Sequence, residues 1–223
     1  NEGGAYARAR KAGGADFKKV PAWEGMLSAL SGKQPIMVHA NEVRQIKTAV
    51  AWAKRRKLKI VLAASRDAWQ VADLLAKEKV PVIFDNVFTL PQRDTDPHDI
   101  HFRAAGILHK AGVKIAHSEA MGSWGASRVR NIVYAAAKSI AHGLPREAAL
   151  RSLTLHPAQM LNVADRLGSL TPKKEATFIA VDGDIFDIRT NVKHMWIDGK
   201  KVSLQSRHTR LYEKYKNRPK LIK

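Results

Sequence analysis

His39 is the first residue whose position could do chemistry. It closes the apolar run Pro35-Ile36-Met37-Val38-His39. An imidazole at a strand end serves as a metal or substrate ligand where other donors meet it, and as a hydrogen-bonding group in a tight strand-to-helix loop where none do. The second candidate is His117-Ser118-Glu119-Ala120, at the end of another apolar run. Alternate residues of a strand share a face, so His117 and Glu119 point one way and Ser118 the other. Glu119 then offers a carboxylate for moving a proton or for ligation; the plainer reading is a polar strand end in a loop. His98 and His101 have H-x-x-H spacing at the start of a helix, but no third ligand accompanies them, and a metal site needs three or four. His142, His156 and His194 read as packing or capping histidines, and Asp182 and Asp198, each followed by Gly, as turn residues.

The elements that must position these residues alternate in type. Strand-like runs at Pro35–His39, Leu58–Ala63, Val80–Phe84 and Val113–Ala116 are separated by helical stripes, the first from Val43, Ile46, Val50 and Ala53, the second from Ala68, Val71, Ala72 and Leu75. Asn41 and Ser65 stand where helix caps are expected, Asp96-Pro97 is placed to open the third helix, and Ala111-Gly112 to close it. Strands this uniformly apolar suit a parallel sheet covered on both faces. After the fourth comes Met121-Gly122-Ser123-Trp124-Gly125, a glycine-punctuated loop, then helical patterns over Val129–His142 and Pro145–Leu155. From about Gly168 the pattern turns to short β segments, Thr177–Val181 and Val192–Ile197, with Asp-Gly turns at 182–183 and 198–199.

Composition bounds what such a chain can be. Its 223 residues carry 39 Lys+Arg against 20 Asp+Glu, a net charge of +19, with 45% hydrophobic residues and no Cys. The length and apolar content suffice for a core without staples, and the absence of Cys excludes disulfides, Cys-ligated zinc and a thiol nucleophile. No apolar run approaches the roughly 18 residues that span a bilayer, so no membrane partner is expected. Lys54-Arg55-Arg56-Lys57 ends a helix, where cations favour the dipole. No nucleic-acid-binding motif accompanies that run or the basic end from Arg207 to Lys223, so no specific nucleic-acid partner is expected; nonspecific, salt-sensitive adhesion is.

Several strings, in their order, resemble the metal-dependent amidohydrolases, in particular the imidazolonepropionase-like branch. They are Pro35-Ile36-Met37-Val38-His39-Ala40, Ala68-Trp69-Gln70-Val71-Ala72, the stretch from Ala141 to Leu150, Thr154-Leu155-His156-Pro157-Ala158 and Leu167-Gly168-Ser169-Leu170. The resemblance implies a (β/α)8 TIM-type barrel with a small accessory β-sandwich, and a site at the carboxyl ends of the strands. It also implies one or two divalent metals, zinc or similar, that activate a water for hydrolysis of carbon–nitrogen bonds. The family's ligands are an H-x-H pair on the first strand, a lysine or carboxylate on the fourth, single His residues on the fifth and sixth, and an Asp on the eighth.

This sequence departs from that pattern. Its four βα units align with the second half of the barrel, so the first- and fourth-strand ligands are not in the chain. His39 falls at the fifth-strand position, as the expected metal ligand. The sixth-strand position falls near Ala64 or Ser65, and at the eighth the Asp gives way to Glu119, as the expected catalytic carboxylate. The expectation is therefore the carboxyl-terminal half of an amidohydrolase acting on a small-molecule substrate, inactive unless the missing half is supplied. The start at Asn1, in an Ala/Arg-rich helical pattern, fits processing or a piece of a longer chain. The alternative is an inactive barrel relative that binds a small molecule or a protein. The expected divisions are a helical segment over 1–34, four βα units over 35–165, an accessory β unit over 166–204 and a basic helix or tail over 205–223. Four parallel strands left open expose two edges and an apolar face, so self-association, or pairing with an N-terminal half, is expected.

Overall fold

In a computed structural model, which describes residues 2–13, 17–85, 87–119 and 122–218, without the side chains of 122–124, the chain forms two compact units, 1–169 and 170–223. The first begins with helices α1 (Glu2–Ala12) and α2 (Pro21–Leu30). Strands β1 (Ile36–His39), β2 (Ile60–Ala63), β3 (Val82–Phe84) and β4 (Ile115–His117) then form one parallel sheet in the order β1-β2-β3-β4. Helix α3 (Val43–Arg56) connects β1 to β2, a 3-10 turn over Ala68–Val71 with α4 (Ala72–Lys77) connects β2 to β3, and α5 (Ile100–Lys110) connects β3 to β4. After β4 come α6 (Gly122–Arg128), a 3-10 turn over Val129–Asn131, α7 (Ile132–Ala141), α8 (Arg146–Leu153) and α9 (Leu155–Met160). Parallel strands joined by helical crossovers follow from the alternation of short apolar runs and amphipathic stripes.

Register decides which residues share a face. Leu62 pairs with Val82, Val82 with Ile115, and Phe84 with His117, and all five are buried on the face beneath the helices, with Leu62 and Val82 at 0% exposure. The opposite face carries Met37 against Val61, His39 against Ala63, and Ile83 against Ala116. Val61 and Ala116 are buried there with Met160 of α9, while Met37 remains 46% exposed. Among the described residues the sheet is open, with β1 and β4 at its edges.

Several local expectations change. Asn41 does not cap α3: Glu42 holds that place, with Gln45 closing a reciprocal capping box, because Asn41 is drawn toward the next loop, its carbonyl accepting from Asp67 N–H. Ser65 is buried and its hydroxyl turns back to the Ala63 carbonyl, so the following 3-10 turn starts from Asp67 instead. Asp96-Pro97 precedes α5 without opening it; the helix starts at Ile100 after Asp99. The segment expected as a loop at 121–125 is helical from Gly122; Met121 lies outside the described residues.

The second unit holds an antiparallel sheet of β5 (Phe178–Val181), β6 (Val192–Ile197) and β7 (Lys200–Val202), in the order β5-β6-β7. Asp198 and Gly199 both take positive φ in the two-residue turn between β6 and β7, as an Asp-Gly hairpin turn requires. Helix α10 (Arg207–Tyr215) follows, capped by Ser206 and Thr209. No helix among the described residues is long and apolar enough to cross a membrane.

Candidate active site at the strand ends

Three side chains at the carboxyl ends of the sheet are linked electrostatically, His39 to Asp85 and Asp85 to Glu119. His39 is the last residue of β1, on the same face as Met37. Asp85 follows β3 directly, and the charge of His39 acts on it. Glu119 lies two residues past β4, whose chain stays beside β3 through Ser118 N–H donating to the Phe84 carbonyl at 3.0 Å. On that face Ala63, Ile83 and Ala116 lie side by side across β2, β3 and β4.

The electrostatics tie the three together. Burial pushes the Asp85 carboxyl above its ordinary value, against a backbone hydrogen bond and the nearby charge of His39. Burial also raises Glu119; Arg128, whose Nη2 stands 3.3 Å from Glu119 Oε2, pulls it down, and the charge of Asp85 pushes it further up. Two carboxyls in one another's field cannot both ionise as easily as either alone, which adds to the effect of burial on Glu119.

The sequence-level candidates separate clearly. His117 does not share Glu119's surroundings: it is inside β4, on the helix-covered face, with Nδ1 2.7 Å from Ser152 Oγ and Nε2 3.1 Å from Ser139 Oγ. The alternation argument fails because the strand ends at His117 and the chain leaves the pleat before Glu119. His98 is exposed while His101 is buried against Thr89 Oγ1, so the H-x-x-H pair is divided. His142 donates to the Lys138 carbonyl and packs on Phe102, and His156 donates to the Ile115 carbonyl. Asp182 binds Lys193 and Asn191, and these partners hold its carboxyl down to about 2. Asp85 was missed: a single Asp after an apolar strand has no spacing signature. Arg128 was missed because a partner nine residues on in an unrecognised helix leaves no pattern.

A metal is implied by the resemblance, and the residues present do not fit one by themselves. Among the described residues no three His, Cys, Asp or Glu side chains are grouped so as to hold a metal ion. His39 is the nitrogen donor at the strand ends, and the positions near Ala64 and Ser65 offer no second imidazole.

Comparison with known proteins gives these residues their setting. The amidohydrolase of Thermotoga maritima matches with a TM-score of 0.77 and 26% identity, over 91% of this chain and 53% of that one. A zinc-bound adenosine deaminase of Xanthomonas campestris shares the fold at a TM-score of 0.57 and 18% identity, over 89% of this chain and 48% of its own. The amidohydrolase tasK of Hapsidospora irregularis is 36% identical over 70 residues, 31% of this chain and 7% of that protein. The chain thus spans about half the length of these solved structures. The sequence model of the amidohydrolase family matches residues 71–202, more than half of the chain, and this protein belongs to the amidohydrolase family.

Proposed function

We propose that the chain is the carboxyl-terminal half of an amidohydrolase of the imidazolonepropionase-like branch. In this reading it supplies the second half of a (β/α)8 barrel with part of an accessory β-sandwich, and the divisions at 1–34, 35–165, 166–204 and 205–223 follow that plan. The whole protein hydrolyses carbon–nitrogen bonds, of non-peptide or cyclic amides, in a small-molecule substrate. The observation that carries the proposal is the placing of His39, Asp85 and Glu119 at the carboxyl ends of three strands of one parallel sheet, with the charge of His39 felt by Asp85 and that of Asp85 by Glu119.

Amide hydrolysis adds a hydroxyl to the carbonyl carbon and a proton to the departing nitrogen. Glu119, raised by burial, is suited to take the proton from water and return it to that nitrogen. Burial keeps Glu119 raised, Arg128 limits the rise and Asp85 adds to it. His39 would hold a divalent metal only together with donors from outside the described residues. Those donors come from an N-terminal half or, across an interface, from a further copy; neither a nucleic acid nor a membrane is needed as a partner.

The test is hydrolysis of a panel of amides, cyclic amides and aminopurines by the product of the whole reading frame that contains this chain, with zinc or manganese and with chelator. Metal-dependent turnover lost in His39→Ala and lowered at least about a hundredfold in Glu119→Gln is the expected result. A second reading, a catalytically inactive relative that binds a small molecule or protein, is favoured by the lack of a metal-holding group among the described residues. Absence of turnover with every metal would leave that reading standing.

A further inference from the structure

Three consecutive strand ends are tied together through one buried residue, by its carboxylate on one side and its backbone N–H on the other. Asp67, in the turn after β2, is 1% exposed. Its Oδ1 accepts from Arg66 Nε at 3.2 Å and its Oδ2 from Arg93 Nη2 at 2.5 Å, while its own backbone N–H donates to the Asn41 carbonyl at 2.9 Å. The two guanidiniums extend the ties: Arg66 Nη1 donates to Gln92 Oε1 at 2.9 Å, and Arg93 Nη1 to Asp96 Oδ2 at 3.3 Å. Asn41 stands two residues past His39. Gln92, Arg93 and Asp96 belong to the loop that starts directly after Asp85.

We propose that Asp67 is the positioning residue of the candidate site, fixing the loop after His39 and the loop after Asp85 relative to one another so that the two side chains keep their places at adjacent strand ends. The proposal rests on the reading of the strand ends as a site. One carboxylate oxygen and the backbone N–H of Asp67 are committed to neighbouring loops and the other oxygen to Arg66, which itself reaches Gln92, and this suits a residue that acts through others rather than on substrate. Burial opposes its charge, but the hydrogen bonds and charges of Arg93 and Arg66 outweigh that and hold the carboxyl below its ordinary value, so the ties are intact at neutral pH.

The test uses hydrogen exchange and histidine NMR on this chain. Asp67→Asn is expected to speed exchange at least about tenfold in 87–99, and by a smaller factor in 40–46, whose tie through the Asp67 backbone N–H loses its anchored turn, while β2, β3 and α7 keep their protection. The Cε1–H resonance of His39 should move, and those of His156 and His194 should stay. Arg93→Gln removes a side chain already 41% exposed and is expected to loosen 87–99 alone. Should Asp67→Asn fail to fold, Arg93→Gln decides: unchanged exchange in 87–99 overturns the proposal. Unchanged loops in Asp67→Asn, or a loosening spread evenly over the unit with all histidine resonances displaced, overturns it as well. None of these readouts uses turnover, so an inactive whole protein would sink the proposed hydrolysis and leave the positioning by Asp67 intact.

Discussion

His117 Nδ1 lies 2.7 Å from Ser152 Oγ, a contact that joins β4 to α8, while its other nitrogen reaches Ser139 of α7. Both hydroxyls also lie within hydrogen-bond reach of carbonyls of their own helices, those of Ala149 and Ala135. A neutral imidazole has one N–H, so one serine donates to the ring and the other accepts from it. A protonated ring would need two acceptors in a site with no counter-charge, and burial accordingly pushes the His117 pKa down to about 4. The unfolded chain takes up the proton near pH 6.5. Stability contributed by the neutral ring is therefore complete above about pH 6.5, declines as pH falls toward 4 and is lost below it, on the order of 3 kcal/mol in all. Thermal melts across that window should show the decline, and His117→Gln should flatten it.

Glu119 sits between opposing neighbours, so two substitutions should move it in opposite directions. Removing the cation in Arg128→Ala should raise its pKa, and removing the like charge in Asp85→Asn should lower it. Carboxyl-carbon NMR titration of each variant reads both shifts. Equal shifts of the same sign would mean that the three groups do not share one field.

The sheet was legible because short apolar runs alternating with stripes such as Ile46, Val50 and Ala53 leave few other solutions, and those three residues are indeed buried. The helix starts were less so. Asn41 and Ser65 have the right chemistry for caps, but Ser65 turns back to the Ala63 carbonyl, and Asn41 finds its partner in the next loop, a contact spanning about 25 residues to Arg66. Local propensity cannot anticipate such competition. The same holds at the site: His39 stands out as an imidazole ending a strand, whereas Asp85, Asp67 and Arg93 become meaningful only once three loops are brought together. His117 shows the converse error, a residue that looked chemical by its neighbours and is structural by its face.

Gly168 should tolerate no side chain. Its φ is +88°, and a Cβ there would stand 2.7 Å from Ala158 Cβ and 2.9 Å from the Thr154 carbonyl oxygen. Strain of the backbone and the clash add, so Gly168→Ala is expected to cost about 2 kcal/mol or more. Gly112→Ala, at a φ of +91° but with open space around it, should cost less, about 1 kcal/mol. Chemical denaturation of the two variants separates the clash from the backbone term; equal losses would show that the contact with Ala158 relaxes freely.

Met37 marks the face on which association should occur. It pairs with Val61 in register, yet Val61 is covered by Met160 while Met37, on the edge strand β1, is 46% exposed. An apolar edge beside unpaired backbone groups invites a further strand, from an N-terminal half or from a second copy. The net charge of +19 opposes approach of a second copy, and salt screens that repulsion without weakening apolar burial. Sedimentation velocity of this chain should therefore show association that strengthens from about 0.05 to 0.5 M salt, opposite to the behaviour of an ion-paired complex. Met37→Lys places a charge at the edge and should weaken association about tenfold or more while leaving the β1–β2 pairing in place. A monodisperse monomer at every concentration and salt would show that the open face is covered by the chain itself, and the half-barrel reading would lose its physical motive for a partner.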